Sequence, residues 1–375
     1  MNIGLLGFGS MGRTHSWAVD NIKFYYKDLP FEAKIKGVYT RTPETRESAA
    51  KRFGFDIAAA SEDELINNDD IDIIDICTPN TSHYETLKKA INAGKHVYCE
   101  KPLCVTSAQA YEIAELADKR GVVGKIVFNN RYMSAMLSAK KLVDEGRLGR
   151  ILSFRCTYLH SSCTDLNKSA GWKQNRDICG GGVLFDLGSH AIDLVYHICG
   201  RFKEVNGRAQ IAFATRPGMD GKLWQTNADE AFYMIAELEC GAVGTIEASK
   251  IAVGANDDLT LEVYGTDGSI RFNLMEPNYL YFYDNTKPGG DFGGERGFTK
   301  IECVSRYASP AGIFPGIKAP TGWLRGHLGS MYDFLDAVHR RDRQSHPNFS
   351  DASHVQRVME AGYESSETGR PVKII

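Results

Sequence analysis

The chain has 375 residues, 43% hydrophobic and 24% charged, a globular composition with enough length for two cores. Its 44 Lys and Arg against 47 Asp and Glu leave a net charge of -3, which removes the basic surplus that a nucleic-acid partner requires. No apolar run reads as a membrane span. The 9 cysteines are scattered without a CxxC spacing, which fits a reducing compartment better than a disulfide framework.

Asn2–Leu6 reads as a short apolar strand. It is too short for the apolar core of a secretory leader and runs straight into a glycine loop, so a cytoplasmic location is expected. A helix is expected over 13–26, a strand over Lys34–Tyr39, a helix over 42–53 and short elements over 56–58 and 62–67. The run 71–77 is a continuous apolar strand broken by two aspartates, Asp72 and Asp75. A helix over 83–93 ends at Gly94, His96–Cys99 is the next strand, and Ser107 is placed to cap a helix that ends at Gly121. A last strand covers 122–128. Continuous apolar strands alternating with helices specify a doubly wound parallel sheet.

After about Asn129 the pattern changes. Helices are expected over 133–145 and 184–198, with a strand over 151–158 between them. Strands follow over 204–215, 229–239, 242–250, 259–264 and 269–274. Asp267-Gly268 and Glu239-Cys240-Gly241-Ala242 are hairpin turns, which implies an antiparallel or mixed sheet. The glycine-rich segment 284–299 reads as a mobile loop, and helices close the chain over 326–341 and 351–368. The organisation is therefore α/β, with a Rossmann-type domain over 1–128 and a second domain over 129–375.

Gly7, Phe8, Gly9, Ser10, Met11 and Gly12 form a GxGxxG loop between a strand and a helix, the context in which that pattern signals a dinucleotide. Gly7 permits the turn, Gly9 lets backbone approach a pyrophosphate, and Gly12 lets helix and strand pack closely. A glycine turn without a ligand is the bland alternative. The second strand ends at Thr40-Arg41 with no carboxylate for a ribose 2′-hydroxyl. Arg41 either pairs with a 2′-phosphate, which favours NADP, or stacks on the adenine of NAD. Thr78, Pro79 and Asn80 close the fourth strand at the ligand-binding edge of such sheets, and Asn80 or Thr81 is placed to cap the helix that carries His83. Glu100-Lys101-Pro102 follows the fifth strand, where the pair is either near a nicotinamide or an ordinary surface ion pair. Asp186 and His190 share a helix face with Asp193 and His197. That polar stripe reads as a proton shuttle, a self-satisfied network or a metal site, the last disfavoured because it lacks a cysteine or a third close histidine.

Together these segments resemble the Gfo/Idh/MocA oxidoreductases, the glucose–fructose oxidoreductase and inositol dehydrogenase group. The matching stretches are 4–15, 77–103, 130–151, 180–198 and 352–372. The resemblance implies a second domain with a large, mostly antiparallel open-faced sheet that supports homodimers or homotetramers. It implies Lys101, Asp186 and His190 as the catalytic set, with His190 as general acid/base, Lys101 on the substrate hydroxyl and Asp186 orienting. Gly7 to Gly12, Thr40, Arg41, Thr78, Pro79, Asn80, His83, Glu100, Lys101 and Asn129 would bind the cofactor. Arg131, Tyr158, His160, Trp172 and Lys173 would line the substrate. The expected activity is NAD(P)-dependent hydride transfer at a secondary alcohol of a sugar, polyol or cyclitol, with NADP slightly favoured and no metal. A redox-neutral glycoside hydrolase that retains NAD and a non-catalytic dinucleotide sensor are the alternatives.

Overall fold

The N-terminal strands are buried on both faces, which is why they read as continuous apolar runs. In the computed structural model, which describes residues 1–167, 169–218, 222–304 and 322–375, β1 (Asn2–Leu6) leads through the glycine loop into α1 (Ser10–Tyr25). There follow β2 (Lys34–Tyr39), α2 (Pro43–Phe53), β3 (Ile57–Ala59), α3 (Glu62–Ile66), β4 (Ile73–Ile76), α4 (His83–Asn92), β5 (His96–Cys99), α5 (Ser107–Arg120) and β6 (Gly124–Ile126). The strands pair in the order β3-β2-β1-β4-β5-β6, all parallel. The order reverses between β1 and β4, so the loops after these two strands flank the point where open α/β sheets bind ligands.

Two caps differ from expectation. Thr106, not Ser107, caps α5 by accepting from the backbone N–H of Gln109. Neither Asn80 nor Thr81 caps α4. Residues Asn80–Ser82 form a short 3-10 turn instead, and the Ser82 hydroxyl turns back to Thr78 and to the Pro79 carbonyl, both at 2.8 Å.

The chain continues through α6 (Ser134–Asp144), β7 (Ile151–Leu159) and the one-turn α7 (Arg176–Cys179) into a π-type turn, Leu184–Gly188, and α8 (Ser189–Cys199). Then come β8 (Phe202–Gln210), β9 (Thr215–Pro217), β10 (Leu223–Gln225), β11 (Ala231–Leu238), β12 (Val243–Ser249), β13 (Asp258–Gly265), β14 (Gly268–Asn273), β15 (Tyr279–Asp284) and β16 (Phe298–Glu302). The described chain closes with α9 (Trp323–Arg340), α10 (Phe349–Thr368) and β17 (Val372–Lys373). Nine strands form one sheet in the order β16-β15-β14-β13-β7-β12-β11-β8-β17. Only the β7–β12 pair is parallel among them.

The strand expected over 204–215 stops at Gln210. The next backbone N–H groups, on Ala212 and Phe213, turn to a carboxylate oxygen of Glu230 at 3.0 and 2.9 Å, and β9 pairs with β10 as a separate hairpin. The segment expected as a glycine-rich loop runs between β15 and β16 with one short 3-10 turn at Asp291–Gly293, and only its last residues, from Phe298, enter β16, which pairs with β15. The helix expected over 184–198 begins with the π turn, a form frequent at functional sites. The stretch Arg176–Cys199 has the length and composition of a membrane span, a correction to the expectation above, but 83% of its apolar window is buried inside the fold.

The division of the chain also differs. Leu328, Met331, Phe334, Leu335 and Val338 of α9 share a core with Ile3, Leu5, Val19, Ile22 and Tyr98. The Phe334 ring stacks on Tyr98 at 4.9 Å and Tyr332 stacks on Tyr26 at 4.0 Å. One unit therefore comprises Met1–Tyr132 and Gly322–Gln356. The other comprises 133–304 and Arg357–Ile375 among the described residues. The second domain expected as one continuous block over 129–375 thus loses α9, because that helix's apolar face is spent on the parallel-sheet unit.

Phe334 is 0% exposed, so Phe334→Ala is expected to lower unfolding free energy by about 3–5 kcal/mol. Phe24→Ala, at a residue 71% exposed, is expected to change it by under about 0.5 kcal/mol. Equal effects in chemical denaturation would contradict the placement of α9 in the core.

Candidate active site

The first unit holds a dinucleotide cradle. Gly7 has φ +95°, and a Cβ there would stand 2.5 Å from the Cys77 carbonyl oxygen. A Cβ on Gly12 would stand 2.2 Å from the Gly7 carbonyl oxygen, whereas one on Gly9 would meet nothing within 4 Å. The backbone is thus closed behind the loop and open in front of Gly9. No side chain caps the N-terminus of α1, which leaves the N–H groups of its first turn for an anion. Phe8 packs on Phe53 and Phe55 at 5.3 and 5.8 Å, while Ser10 is exposed and Met11 half-buried. These residues fit a bound pyrophosphate.

Arg41 is exposed at the end of β2 and Thr40 half-buried beside it. Arg46, not foreseen, donates to the Thr40 carbonyl at 3.1 Å. Thr78, Pro79, Asn80 and Lys101 are half-buried. Three expected ligand-binding residues are instead internal. His83 is 0% exposed, with its ring nitrogens 2.9 Å from the Pro102 and Thr78 carbonyl oxygens. It is a strut between two loops, and burial pushes its pKa below the ordinary value despite the carbonyls around it. Arg131 is buried, with its guanidinium 3.4 Å from Asp351 and over the Phe128 ring, so it braces the unit rather than lining a substrate wall. Asn129 is 3% exposed and its amide donates to Asn130 at 3.4 Å.

Glu100 is not a surface ion pair. It is buried, with one oxygen 3.2 Å from Nε2 of His15 and the other accepting the Lys101 backbone N–H at 3.2 Å. Nδ1 of His15 lies 2.9 Å from Asp75 and 3.2 Å from the Cys77 sulfur. Among the described residues, His15, Asp75 and Cys77 bring donor atoms within 4.8 Å of one another as a metal site would, but these atoms already engage each other.

The second unit gathers a different cluster. Leu159 at the end of β7 is paired with Ser249 on β12 and Asp258 on β13. Residues just beyond these positions therefore gather at one end of the three central strands. Tyr158 donates to Asp257 at 2.6 Å, and Nε2 of His160 lies 3.0 Å from the same carboxylate oxygen. The His190 ring meets the Tyr158 ring edge-on at 5.9 Å. Lys250 reaches Asp186 at 3.0 Å from inside the fold, and Lys173 reaches it at 2.8 Å from the solvent side. Trp172 is exposed beside Lys173. Burial and then the Asp257 charge push the Tyr158 hydroxyl far up. Burial alone would raise Asp257, but hydrogen bonds from His160 and Tyr158 and the nearby histidine charges hold it below the usual range. Burial alone would lower Lys250, but the Asp186 charge and hydrogen bond raise it.

Local backbone chemistry positions this cluster. The Asp229 carboxylate accepts from the N–H groups of Gly182 and Leu184 at 3.0 and 3.1 Å, which anchors the π turn bearing Asp186. A Cβ on Gly182 would stand 2.3 Å from Asp229. Arg216 is 2% exposed. It pairs with Glu230 at 2.6 Å and donates to the carbonyls of Cys163 and Asp165, pinning the segment that leads to Trp172 and Lys173. Because Asp186 is taken by two lysines, the alternative of a metal held by Asp186, His190, Asp193 and His197 loses its first ligand.

Sequence reasoning missed Lys250, Asp257, Asp229 and His15. The first two were findable only from strand register, since neither lies in a motif.

A model described as an oxidoreductase family with an NAD-binding Rossmann fold matches residues 1–128, and one for the GFO/IDH/MocA C-terminal domain matches 136–271. Levoglucosan dehydrogenase of Pseudarthrobacter phenanthrenivorans is 31% identical over 379 residues, covering 98% of this chain and 96% of that protein. Glucose-6-phosphate 3-dehydrogenase of Bacillus subtilis is 25% identical over 376 residues, covering 99% and 98%. Among solved structures, levoglucosan dehydrogenase in complex with NADH and levoglucosan gives a TM-score of 0.94 at 31% identity, covering 100% of this chain and 99% of that one.

Lys250→Met is expected to destabilise the protein by about 3 kcal/mol, since it removes the buried partner of a carboxylate. Lys173→Ala, at an exposed pair, is expected to change stability by under about 1 kcal/mol. Chemical denaturation of both variants checks the ranking, and the reverse order would contradict the geometry.

Proposed function

The chain belongs to the GFO/IDH/MocA oxidoreductase family, and from that premise we propose that it oxidises a secondary alcohol of an uncharged sugar or anhydrosugar to a ketone. The observation that carries this reading is the cluster at one end of the central strands of the nine-stranded sheet, where His190, Tyr158, His160, Asp257 and Asp186 converge. It holds acid–base groups and hydrogen-bond donors suited to hydroxyls. Its described lysines, Lys173 and Lys250, both pair with Asp186, so their charge is partly balanced within the cluster, which supports a neutral sugar over a sugar phosphate.

A nicotinamide held by the first unit would supply the hydride acceptor for the carbinol carbon. His190 is assigned the hydroxyl proton, since an imidazole ring can both accept and donate one. Lys101 is assigned a hydrogen bond to the same hydroxyl. Asp186, held by Lys250, is assigned the orientation of a neighbouring hydroxyl, with Tyr158, His160, Trp172 and Lys173 as walls. Gly7 to Gly12 would hold the pyrophosphate, as the open backbone in front of Gly9 supports. The levoglucosan and NADH complex of the similar dehydrogenase supports NAD(H) and an anhydrosugar as first choices. The lack of a carboxylate after β2, with exposed Arg41 there, supports acceptance of NADP(H) as well.

The open face of the large sheet supports self-association. Tyr233, Ile235, Val243 and Phe298 on it are 42%, 57%, 48% and 39% exposed, and we read this face as a homodimer or homotetramer contact.

A panel of levoglucosan, free sugars, sugar phosphates and cyclitols with NAD and NADP, followed by absorbance of reduced cofactor, tests the reading. Turnover of a neutral sugar is expected. The Lys101→Ala and His190→Ala variants are expected to lose about 10²–10⁴-fold in kcat. Arg41→Ala is expected to weaken NADP binding about tenfold or more, with NAD binding unchanged. Wild-type rates in both catalytic variants would overturn the assignment. Glycoside cleavage without added cofactor would point to redox-neutral chemistry, and cofactor binding without turnover to a sensor.

A further inference from the structure

Beneath the glycine loop lies a set of buried ionisable side chains that the roles above do not use. His15 on α1 is 1% exposed. Its Nδ1 is 2.9 and 3.1 Å from the two oxygens of Asp75 on β4, and its Nε2 is 3.2 Å from Oε1 of Glu100. Carboxylate oxygens only accept, and a neutral imidazole carries one N–H. Both contacts are satisfied together only by an imidazolium. The second Glu100 oxygen accepts the backbone N–H of Lys101 at 3.2 Å.

We propose that His15, as an imidazolium clamped between Asp75 and Glu100, is a positioning residue for Lys101. It acts through Glu100, whose orientation anchors the Lys101 backbone and whose charge favours the Lys101 ammonium. The proposal rests on the assignment of Lys101 to the reaction.

The surrounding groups agree with this arrangement. Those facing the clamp are Asp75 and Cys77 at the end of β4, Tyr98 and Cys99 on β5, His83 on α4, Lys101 beyond β5 and His327 on α9. The Tyr98 ring lies 5.2 Å from the His15 ring, and the Tyr98 hydroxyl is hydrogen-bonded to Ser330 at 2.7 Å. The His327 ring lies 6.1 Å from His15. Burial, and then the His15 charge, push its pKa down to about 3, so it is a neutral neighbour. Burial alone would lower His15, but the Asp75 contact outweighs it and raises the pKa well above the ordinary value. Burial alone would raise Glu100, but the His15 hydrogen bond and charge, with Lys101 beside it, bring it down to about 2.

The signs define the working range. A raised histidine contributes stability that is lost as pH climbs through its folded pKa. A depressed carboxyl contributes stability that is lost as pH falls through its own, here about 2. The clamp is therefore intact throughout neutral and mildly acidic solution.

The two charges of the His15–Glu100 contact can be removed one at a time. Glu100→Gln keeps the shape and removes the charge beside Lys101. His15→Gln removes the cation. The full-length variants and Lys101→Met are compared by kcat and KM against pH, NAD binding and unfolding. Glu100→Gln is expected to move the Lys101-dependent limb of the kcat profile to lower pH by about one unit, since an anion within contact range typically shifts a neighbour by at least that much. His15→Gln is expected to lower kcat about tenfold while NAD affinity and KM stay within about twofold, and to add nothing in a Glu100→Gln background, because residues acting through one another are non-additive. If Lys101→Met abolishes turnover but both other variants keep the wild-type profile, the proposal is overturned. If Lys101→Met itself retains turnover, the assignment of Lys101 fails first. Should His15→Gln not fold, the isosteric Glu100→Gln profile decides the matter alone.

Discussion

The missing side chain at Gly12 sets how closely α1 lies on the parallel sheet. A Cβ there would collide with the Gly7 carbonyl oxygen, and Gly7 in turn lies against Cys77. With both glycines in place, the helix starts directly over β1 and β4. His15, one turn further along α1, then reaches Asp75 and Glu100. The same close approach that opens the loop for a pyrophosphate therefore links it to the lysine loop after β5. A larger residue at Gly12 would lift the helix and break both functions together.

Charge burial governs the other unit in the same way. A carboxylate removed from water needs a cation or N–H donors. Asp229 takes two backbone N–H groups and the Tyr363 hydroxyl, Glu230 takes Arg216, and Asp186 takes Lys250. Each pairing fixes a loop or turn that ends in the acid–base cluster. The cluster's order comes from these internal pairs more than from the loop 161–177 itself.

Much of the first sheet was legible because buried parallel strands are apolar throughout and glycine is required at fixed loop positions. His96–Cys99 and Lys34–Tyr39 coincide with the observed strands. The destination of α9 was not legible. Leu328, Met331, Leu335 and Val338 announce an amphipathic helix, but periodicity carries no information on which core receives the face. Lys250 and Asp257 were hidden for a related reason. They reach the same end of the sheet only through the pairing of Leu159 with two strands distant in sequence. His83 and Arg131 sit in the right segments, and their chemistry is spent inside the unit instead.

What separates a structural polar residue from a functional one here is whether an exchangeable partner remains. Both nitrogens of His83 face backbone carbonyls at 2.9 Å with no exposure, so a ligand could engage it only by breaking the strut. Asp186 differs. Its inner partner Lys250 has a side chain only 7% exposed, but its outer partner Lys173 is 46% exposed. An exposed ion pair contributes about 0–1 kcal/mol, which a hydroxyl hydrogen bond to the same carboxylate can match. Exchange at the outer side is therefore nearly isoenergetic, while the inner lysine holds the carboxylate in place.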